Sequence, residues 1–254
     1  MKKTFSQLVI IIGVLIAVAG LAAVVRLVNR SNSTTNRKAR TNSLQVSVIT
    51  LLQAHGGRGD RDWARFRQQG TLSYPIEASA GSQRRFERKL DLSTDGPVMR
   101  YDRATLYTNQ SYLFDGNTLV RTTFQAGTQL DVKAVDGTEA ASIKFQIATF
   151  GLLPILKRLA DPTTQVIDVG ATEKGNRFQV KTRGGSWYFY SNSNHLIDRL
   201  EIGQINITYG DYRTVAGLTL PFYQNVRKGE TLLYELKFDT FELSPVFASG
   251  FFKT

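Results

Sequence analysis

The sequence predicts a mainly β protein of the α+β class, in which one large, strongly curved antiparallel sheet is covered by a broken helix. From Leu72 onward, short runs of alternating apolar and polar residues are separated by tight-turn residues, which is typical of meandering strands. Residues 136–161 have helical spacing instead and divide the strands into two sets. Ahead of this domain, an uncharged apolar stretch predicts an N-terminal transmembrane helix or signal sequence.

The N-terminal apolar stretch contains no charge from Phe5 to Val25, and the eighteen residues Leu8–Val25 are all Leu, Val, Ile, Ala or Gly. This length is about enough to cross a bilayer core as one helix. The triplet Ala17-Val18-Ala19 fits a small-x-small cleavage site, so a cleaved signal peptide is the alternative. Because the apolar run continues past that site, we favour the interpretation that residues 1–28 form a transmembrane signal-anchor.

The positive charge of the chain is concentrated near its N-terminus. Residues 1–40 hold seven of the 32 basic residues and no acidic one, which leaves 25 basic against 21 acidic residues in the remainder. The domain therefore lacks the basic excess of a nucleic-acid-binding protein, and we expect no nucleic-acid partner. Residues 29–42 are polar and basic and predict a linker near the membrane surface.

The stretch TNSLQVSVITLLQAHGG, residues 41–57, predicts the first helix of the domain. Four apolar residues between Leu44 and Leu52 fall on one helical face. His55 lies in the last turn, and Gly56 stands where a left-handed helix end is expected. The histidine and the glycine pair are therefore predicted to end a helix rather than to belong to an active-site loop.

The first set of strands follows a short connection. Residues 60–66, DRDWARF, predict a turn that packs Trp63 and Phe66. The predicted strands are LSYPIEA, RFERKL, PVMRYD, ATLYTNQSYLFDG and NTLVRTTF. Asp115-Gly116 is a strong hairpin cue between the last two runs. Such short strands joined by tight turns form an antiparallel meander.

Residues 136–161 predict a broken apolar helix between the two strand sets. Thr138 can cap its start, Gly151 and Pro154 interrupt it, and a second helical piece ends before Pro162. We expect this segment to cover the open face of a sheet.

The second set contains seven predicted strands. They are TQVIDVG, RFQVKTR, SWYFYS, HLIDRLEIG, QINITYGDYR, LTLPFYQN and TLLYELKFDTFELS. With the first set this gives about a dozen strands, which fits one large curved sheet.

The sequence predicts no catalytic, metal or cofactor site. It contains no G-x-S-x-G, Walker, G-x-G-x-x-G or H-E-x-x-H motif. Its two histidines, His55 and His195, are far apart in sequence, and Asp60 and Asp62 alternate with arginines, a pattern that offers little support for a cation site. There is no cysteine, which excludes disulfides, thiolate metal sites and a lipid-modified cysteine. We therefore expect a protein that is not an enzyme.

The order of the predicted elements resembles the lipoprotein-carrier (LolA/LolB-like) superfamily. In both, a membrane-targeting segment is followed by one helix, meandering strands, a broken helix and further strands. The stretch AHGG…W, Ala54–Trp63, and the closing YGDYRTVAGLTLPFYQN…ELKFDTFELSPVFASGFF, Tyr209–Phe252, are similar to exported bacterial relatives of that superfamily. The resemblance covers residues 41–254, and its motifs are structural.

The resemblance implies an unclosed β-barrel, over residues 43–254, with lid helices at about 138–160. It further implies a cell-envelope protein that binds lipid or another apolar ligand, such as the acyl chains of a lipoprotein, against a concave sheet face. Residues implied to line that face, chosen by strand alternation, are Tyr74, Phe86, Met99, Tyr112, Phe114, Trp187, Phe189 and Tyr209. Residues implied for the lid are Leu152, Leu153, Leu156 and Leu159.

The expected location is the bacterial cytoplasmic membrane, crossed once, with the C-terminal domain in the periplasm or outside. Secretion after signal cleavage is the alternative. The retained anchor and the missing cysteine set this chain apart from the soluble carriers and the lipid-anchored receptor, which argues against a free shuttle between membranes. The alternative function is a scaffold or protein-interaction module of the envelope, with the same fold, a filled core and an envelope protein as its partner.

Overall fold

A computed structural model of the protein describes residues 48–56, 65–76, 84–104, 107–161, 163–182 and 185–253. In these ranges the chain forms one antiparallel sheet of thirteen strands and three helices. The helices are α1 (residues 48–54), α2 (Gly137–Thr149) and α3 (Leu153–Ala160). The strands are β1 (Arg65–Ile76), β2 (Arg84–Asp95), β3 (Val98–Ala104), β4 (Asn109–Phe114), β5 (Leu119–Gln125), β6 (Thr128–Ala134), β7 (Gln165–Thr172), β8 (Gly175–Thr182), β9 (Gly185–Asn192), β10 (Ile197–Ile202), β11 (Ile205–Val215), β12 (Leu218–Lys228) and β13 (Thr231–Leu243).

The sheet is open, as the sequence predicts. Its order is β6-β5-β4-β3-β2-β1-β13-β12-β11-β10-β9-β8-β7, so β6 and β7 are the two edges. These edge strands follow each other along the chain, with only α2 and α3 between them. The connection therefore has to pass from one edge of the sheet to the other. We call α2, α3 and the residues between them the lid, and the sheet face that the lid covers the inner face.

The hydrophobic core lies between the inner face and the lid. Side chains of the sheet such as Leu92, Tyr112 and Phe189 are fully buried, and so are Leu152 and Leu156 of the lid. These side chains belong to one continuous apolar cluster. At the edge, by contrast, all seven residues of β6 are exposed. The described part of the protein thus has a single core, under the lid.

The seven predicted strands of the second set are confirmed. The first set differs from the prediction in two places, at β6 and at the start of β1. Strand β6 was not predicted, although Leu130, Val132 and Ala134 alternate with Asp131 and Lys133 along it; all seven of its residues are exposed. Strand β1 begins at Arg65, so Phe66 lies in a strand and not in the predicted turn. The residues that follow Phe66 are polar, so the alternation that predicts a strand is absent there. Trp63 lies outside the described residues.

Helix α1 ends where the sequence predicts. Gly56 has a φ of +78°, and a Cβ atom there would lie 1.9 Å from the backbone oxygen of Gly217, so glycine is required for both reasons. The N-terminal apolar stretch, the linker and residues 41–47 lie outside the described residues. Among the helices of the described ranges, none combines the length and the apolar character needed to span a membrane.

His55 is a buried structural residue that fixes α1 to the sheet. Its Nδ1 atom lies 2.7 Å from the backbone oxygen of Thr219, and the backbone N–H of Ile197 donates to Nε2 at 3.0 Å. Since Nε2 accepts, Nδ1 carries the proton and the ring is neutral. Burial lowers the pKa of His55 to about 4, although the hydrogen bond to Thr219 opposes this shift.

Gly70 allows β1 and β13 to approach closely at a bulge. The pairing of the two strands shifts register between Gln69 and Gly70. A Cβ atom on Gly70 would lie 2.5 Å from the backbone oxygen of Lys237. The bulge lies where the two halves of the sheet join, since β1 and β13 are the first and last strands of the chain.

We expect Gly70→Ala to lower the free energy of unfolding by about 1–3 kcal/mol, because the added methyl group would clash with the backbone of Lys237 in the paired strand. Urea unfolding followed by far-UV circular dichroism measures the change. Gly210→Ala in β11 is the matched control, since the nearest atom to its Cβ is a Tyr223 side-chain carbon at 3.7 Å. Equal effects of the two substitutions would contradict the close approach at Gly70.

We expect His55 to make the protein less stable in mild acid. The His55 ring takes up a second ring proton below about pH 6.5 in the unfolded chain, but only below about pH 4 in the folded protein. The stabilising contribution of the neutral ring is therefore complete above about pH 6.5 and is lost as the pH falls toward 4. Between pH 7.5 and 5 the loss is about 2 kcal/mol. Urea unfolding of wild type and His55→Gln at both pH values measures it, and an equal loss in the two proteins would refute the prediction.

Candidate functional site

The predicted lining residues fall into three groups by position. Tyr112, Trp187, Phe189, Phe114 and Tyr209 are buried on the inner face, with between 0% and 9% of their surface exposed. Tyr74 and Met99 are partly buried and pack against the same core. Nothing is described of the side chain of Phe86. The inner face is therefore apolar and aromatic at the positions that alternation selects, and the lid covers it.

The lid crosses the inner face from one half of the sheet to the other. Near its start, Glu139 contacts Tyr112 of β4, and further along Gln146 accepts a hydrogen bond from Tyr101 of β3 at 3.2 Å. At its centre, Phe150 packs edge-on against Phe238 of β13, with ring centroids 5.3 Å apart. The lid thus runs across the strands rather than along them.

The second half of the lid is an apolar plug. The four predicted lid leucines Leu152, Leu153, Leu156 and Leu159 are at most 4% exposed. Pro154 lies in the first turn of α3, where its missing N–H has no helical partner to lose. At the start of α2 the predicted cap is wrong, because Thr138 lies inside the helix and Asp136 precedes it. Gly137 begins the helix at a φ of +54°.

The break between the two lid helices is held by two buried glutamines of the sheet. Gln224 of β12 accepts a hydrogen bond from the backbone N–H of Gly151 at 2.9 Å and donates to the oxygen of Thr149 at 3.0 Å. Gln68 of β1 donates to the oxygen of Phe150. Neither glutamine has any exposed surface. Backbone groups freed by the break are thus satisfied by side chains from the centre of the sheet.

A charged cluster joins the start of the lid to the inner face. Oε1 of Glu139 accepts hydrogen bonds from Nη1 of Arg121 at 2.8 Å and from the hydroxyl of Tyr112 at 3.0 Å. Nη2 of Arg103 donates to the same hydroxyl at 2.7 Å. Burial raises the pKa of Tyr112, which keeps the hydroxyl protonated and able to donate to Glu139. The lid is therefore attached by an ion pair as well as by apolar packing.

Two open grooves have polar linings. One, of about 540 Å³, is lined by residues that include Gln69, Asp91 and Asp102. The other, of about 560 Å³, is lined by residues that include Lys174, Asp198 and Tyr209. Neither contains a lid leucine. In the described ranges, no group of three or more His, Cys, Asp or Glu residues is placed to hold a metal ion. The continuous apolar cluster of the described residues includes all four lid leucines.

The polar residues of the inner face could not be identified from the sequence pattern alone. Gln68, Arg121 and Gln224 stand at inward positions of their strands, each next to apolar inward neighbours. A polar residue that interrupts apolar alternation is the available signal, but it becomes informative only when strand pairing is known. Arg121, for example, lies directly opposite Tyr112 in the pairing of β4 with β5.

The described residues form an open antiparallel sheet whose two edges are joined by a lid of two helices. A comparison with protein-family models finds no match to the sequence, and a comparison with curated proteins finds none. Solved structures do match. A DUF1329 family protein from Desulfovibrio piger aligns over 83% of this chain and 97% of its own, with a TM-score of 0.55 and 8% identity.

A LolA superfamily protein from Nitrosomonas europaea aligns over 78% of this chain and 94% of its own, with a TM-score of 0.51 and 8% identity. The fold that the resemblance implies is thereby confirmed. At 8% identity the similarity establishes the architecture and not the ligand.

We expect Gln224→Leu to lower the free energy of unfolding by about 2–4 kcal/mol, because the N–H of Gly151 and the oxygen of Thr149 both lose their partner in the core. Amide hydrogen exchange should also accelerate at Gly151. Gln179→Leu is the matched control, since that amide lies on the opposite face and donates only to the hydroxyl of Tyr188. Faster exchange everywhere, without a local effect at the break, would contradict the role given to Gln224.

Proposed function

We propose that the protein is a non-enzymatic cell-envelope protein that binds lipid or another apolar ligand, such as one or more acyl chains, between the inner face and the lid. The observation that carries the proposal is the lid itself. An apolar sheet face is covered by two short helices that meet at a break, and the break is held by hydrogen bonds to side chains. The proposal includes no covalent step.

The size of the lid residues fits an acyl ligand. Each leucine side chain contains four carbons, so the four lid leucines together fill the space of an acyl chain of about sixteen carbons. If an acyl chain replaces those leucines in the core, the buried apolar area stays nearly the same. Each buried methylene group contributes about 0.8 kcal/mol, whether it belongs to a leucine or to the ligand, so the two contributions nearly cancel. Binding then depends on the smaller polar contacts that hold the lid.

The proposed location supports the same function. The apolar stretch Phe5–Val25 is outside the described residues, and on sequence grounds we propose that it anchors the protein in the bacterial cytoplasmic membrane with the domain in the periplasm or outside. Cleavage and secretion remain the alternative. With the anchor retained, the domain would work next to a bilayer, where acyl chains are abundant.

A scaffold or protein-interaction module is the second candidate function, and a specific observation favours it. Tyr112, Phe189, Leu153 and Leu156 have no exposed surface, so the core is filled by the chain's own side chains. The edge strand β6 also exposes Leu130 and Val132, 55% and 44% of their surface respectively. An exposed apolar edge strand is a site where a partner strand can add to the sheet.

We expect brominated stearate to quench the fluorescence of Trp187 in the full-length protein carrying Trp63→Phe, where Trp187 is the one remaining tryptophan. Trp187 is 4% exposed under the lid, so a bromine atom reaches it only when the acyl chain enters the core. Unbrominated stearate is the control. With amphipol keeping the protein in solution, equal fluorescence with both acids would reject acyl binding and favour the scaffold function.

A further inference from the structure

The contact between Glu139 and the sheet has the geometry of an anion in a binding site. One carboxylate oxygen accepts from a guanidinium at 2.8 Å and from a phenol at 3.0 Å. Both donors, Arg121 and Tyr112, belong to the sheet, and the carboxylate is the only member contributed by the lid. Arg103 donates to the oxygen of the phenol at 2.7 Å, and the phenol's own proton has two acceptors, Oε1 of Glu139 at 3.0 Å and Oε1 of Gln110 at 3.3 Å, of which the carboxylate is the nearer and the charged one.

The sheet side of this contact has more donors than acceptors. Arg121 has Asp131 as its other acidic neighbour, at 3.7 Å, and its buried Nε atom has no hydrogen-bond partner. Arg103 uses Nε to bond Gln110 at 2.7 Å, which is neutral. If the lid moves away, two guanidiniums and a phenol face the space vacated by one carboxylate, and a charge-assisted acceptor is needed there.

The donors stand at the border of the apolar core. The ring of Tyr112 lies 6.2 Å from the ring of Tyr101, and Tyr101 in turn lies 5.8 Å from Phe150 at the lid break. The side chain of Glu139 is 39% exposed, whereas that of Arg121 is only 14% exposed. A ligand with an anionic head and an apolar tail would place the head among these donors and the tail along the aromatic side chains.

We propose that Arg121, Tyr112 and Arg103 form a binding site for the anionic head of an amphiphile, a carboxylate or a phosphate, and that Glu139 occupies this site while the lid is closed. The inference rests on the proposed function and specifies the ligand class. Head group and Glu139 compete for the same donors, so binding of the ligand releases the start of the lid. An uncharged amphiphile with the same tail gains no such contact.

The chain contains a matched cluster that serves as an internal control. Glu201 of β10 accepts a hydrogen bond from the hydroxyl of Tyr190 at 2.7 Å and lies 3.8 Å from Arg177 and 3.6 Å from Arg199. It is built from the same residue types, but all four belong to the sheet, on the face opposite Phe189. A substitution there removes a comparable carboxylate without touching the lid.

The test compares the binding of decanoate, decyl phosphate and decanol to the full-length protein in amphipol at pH 7.5. We expect wild type to prefer decanoate or decyl phosphate over decanol, and Arg121→Gln to reduce that preference about tenfold, because the charge-assisted contact is lost. Glu139→Gln should raise the affinity for decanoate about three- to tenfold, since the competing carboxylate is gone. Glu201→Gln should change neither value. Comparing decanoate with decyl phosphate identifies the preferred head group.

Each outcome decides the inference. If Arg121→Gln keeps the wild-type preference, or if Glu139→Gln leaves decanoate binding unchanged, the anion site is wrong, while binding of decanol would still support an apolar site under the lid. If none of the three amphiphiles binds, the proposed function fails together with the anion site. Glu139→Gln removes no cation, so it remains a test even if Arg121→Gln does not fold.

Discussion

The need to cover one apolar face of an open sheet governs the rest of this structure. Thirteen strands in one sheet leave two edges, and the edge strands β6 and β7 are neighbours in sequence. The chain between them must cross the whole sheet, and it crosses on the apolar face. The same connection therefore completes the topology and supplies the second layer of the core, as a two-layer domain requires. Removing the lid from the face would expose the core without breaking any strand pairing.

A lid that crosses a curved face cannot be one straight helix. At the break, backbone N–H and C=O groups lose their helical partners while they remain buried in the core. Gly151, at a φ of +71°, lets the chain turn there, and an added Cβ would lie 2.9 Å from Oε1 of Gln68. The backbone groups beside it are buried, so the sheet provides Gln68 and Gln224 to bond them. Amide side chains form directed hydrogen bonds without bringing a charge into the core.

The sequence predicts the architecture well because the fold depends on alternation and on turn residues. All seven strands from β7 to β13 were predicted from their alternation and from the turn residues between them. Strand β6 was not predicted although its apolar residues alternate, and the start of β1 was not predicted because a polar run that includes the buried Gln68 follows Phe66. Alternation detects a strand through its apolar side chains, so a strand segment that places an amide in the core escapes it.

The polar contacts of the lid could not be predicted for a different reason. Glu139 is separated from Tyr112 and Arg121 by 27 and 18 residues, and the contact exists only because β4 and β5 pair in one register and the lid crosses them at one angle. Local sequence carries neither quantity. If a ligand displaces the lid as we propose, it has to replace these contacts as well as the leucine plug. Selection for a ligand in a fold of this kind would therefore act first on the polar residues at the edge of the core, and the apolar residues beneath them would be shared with proteins that bind something else.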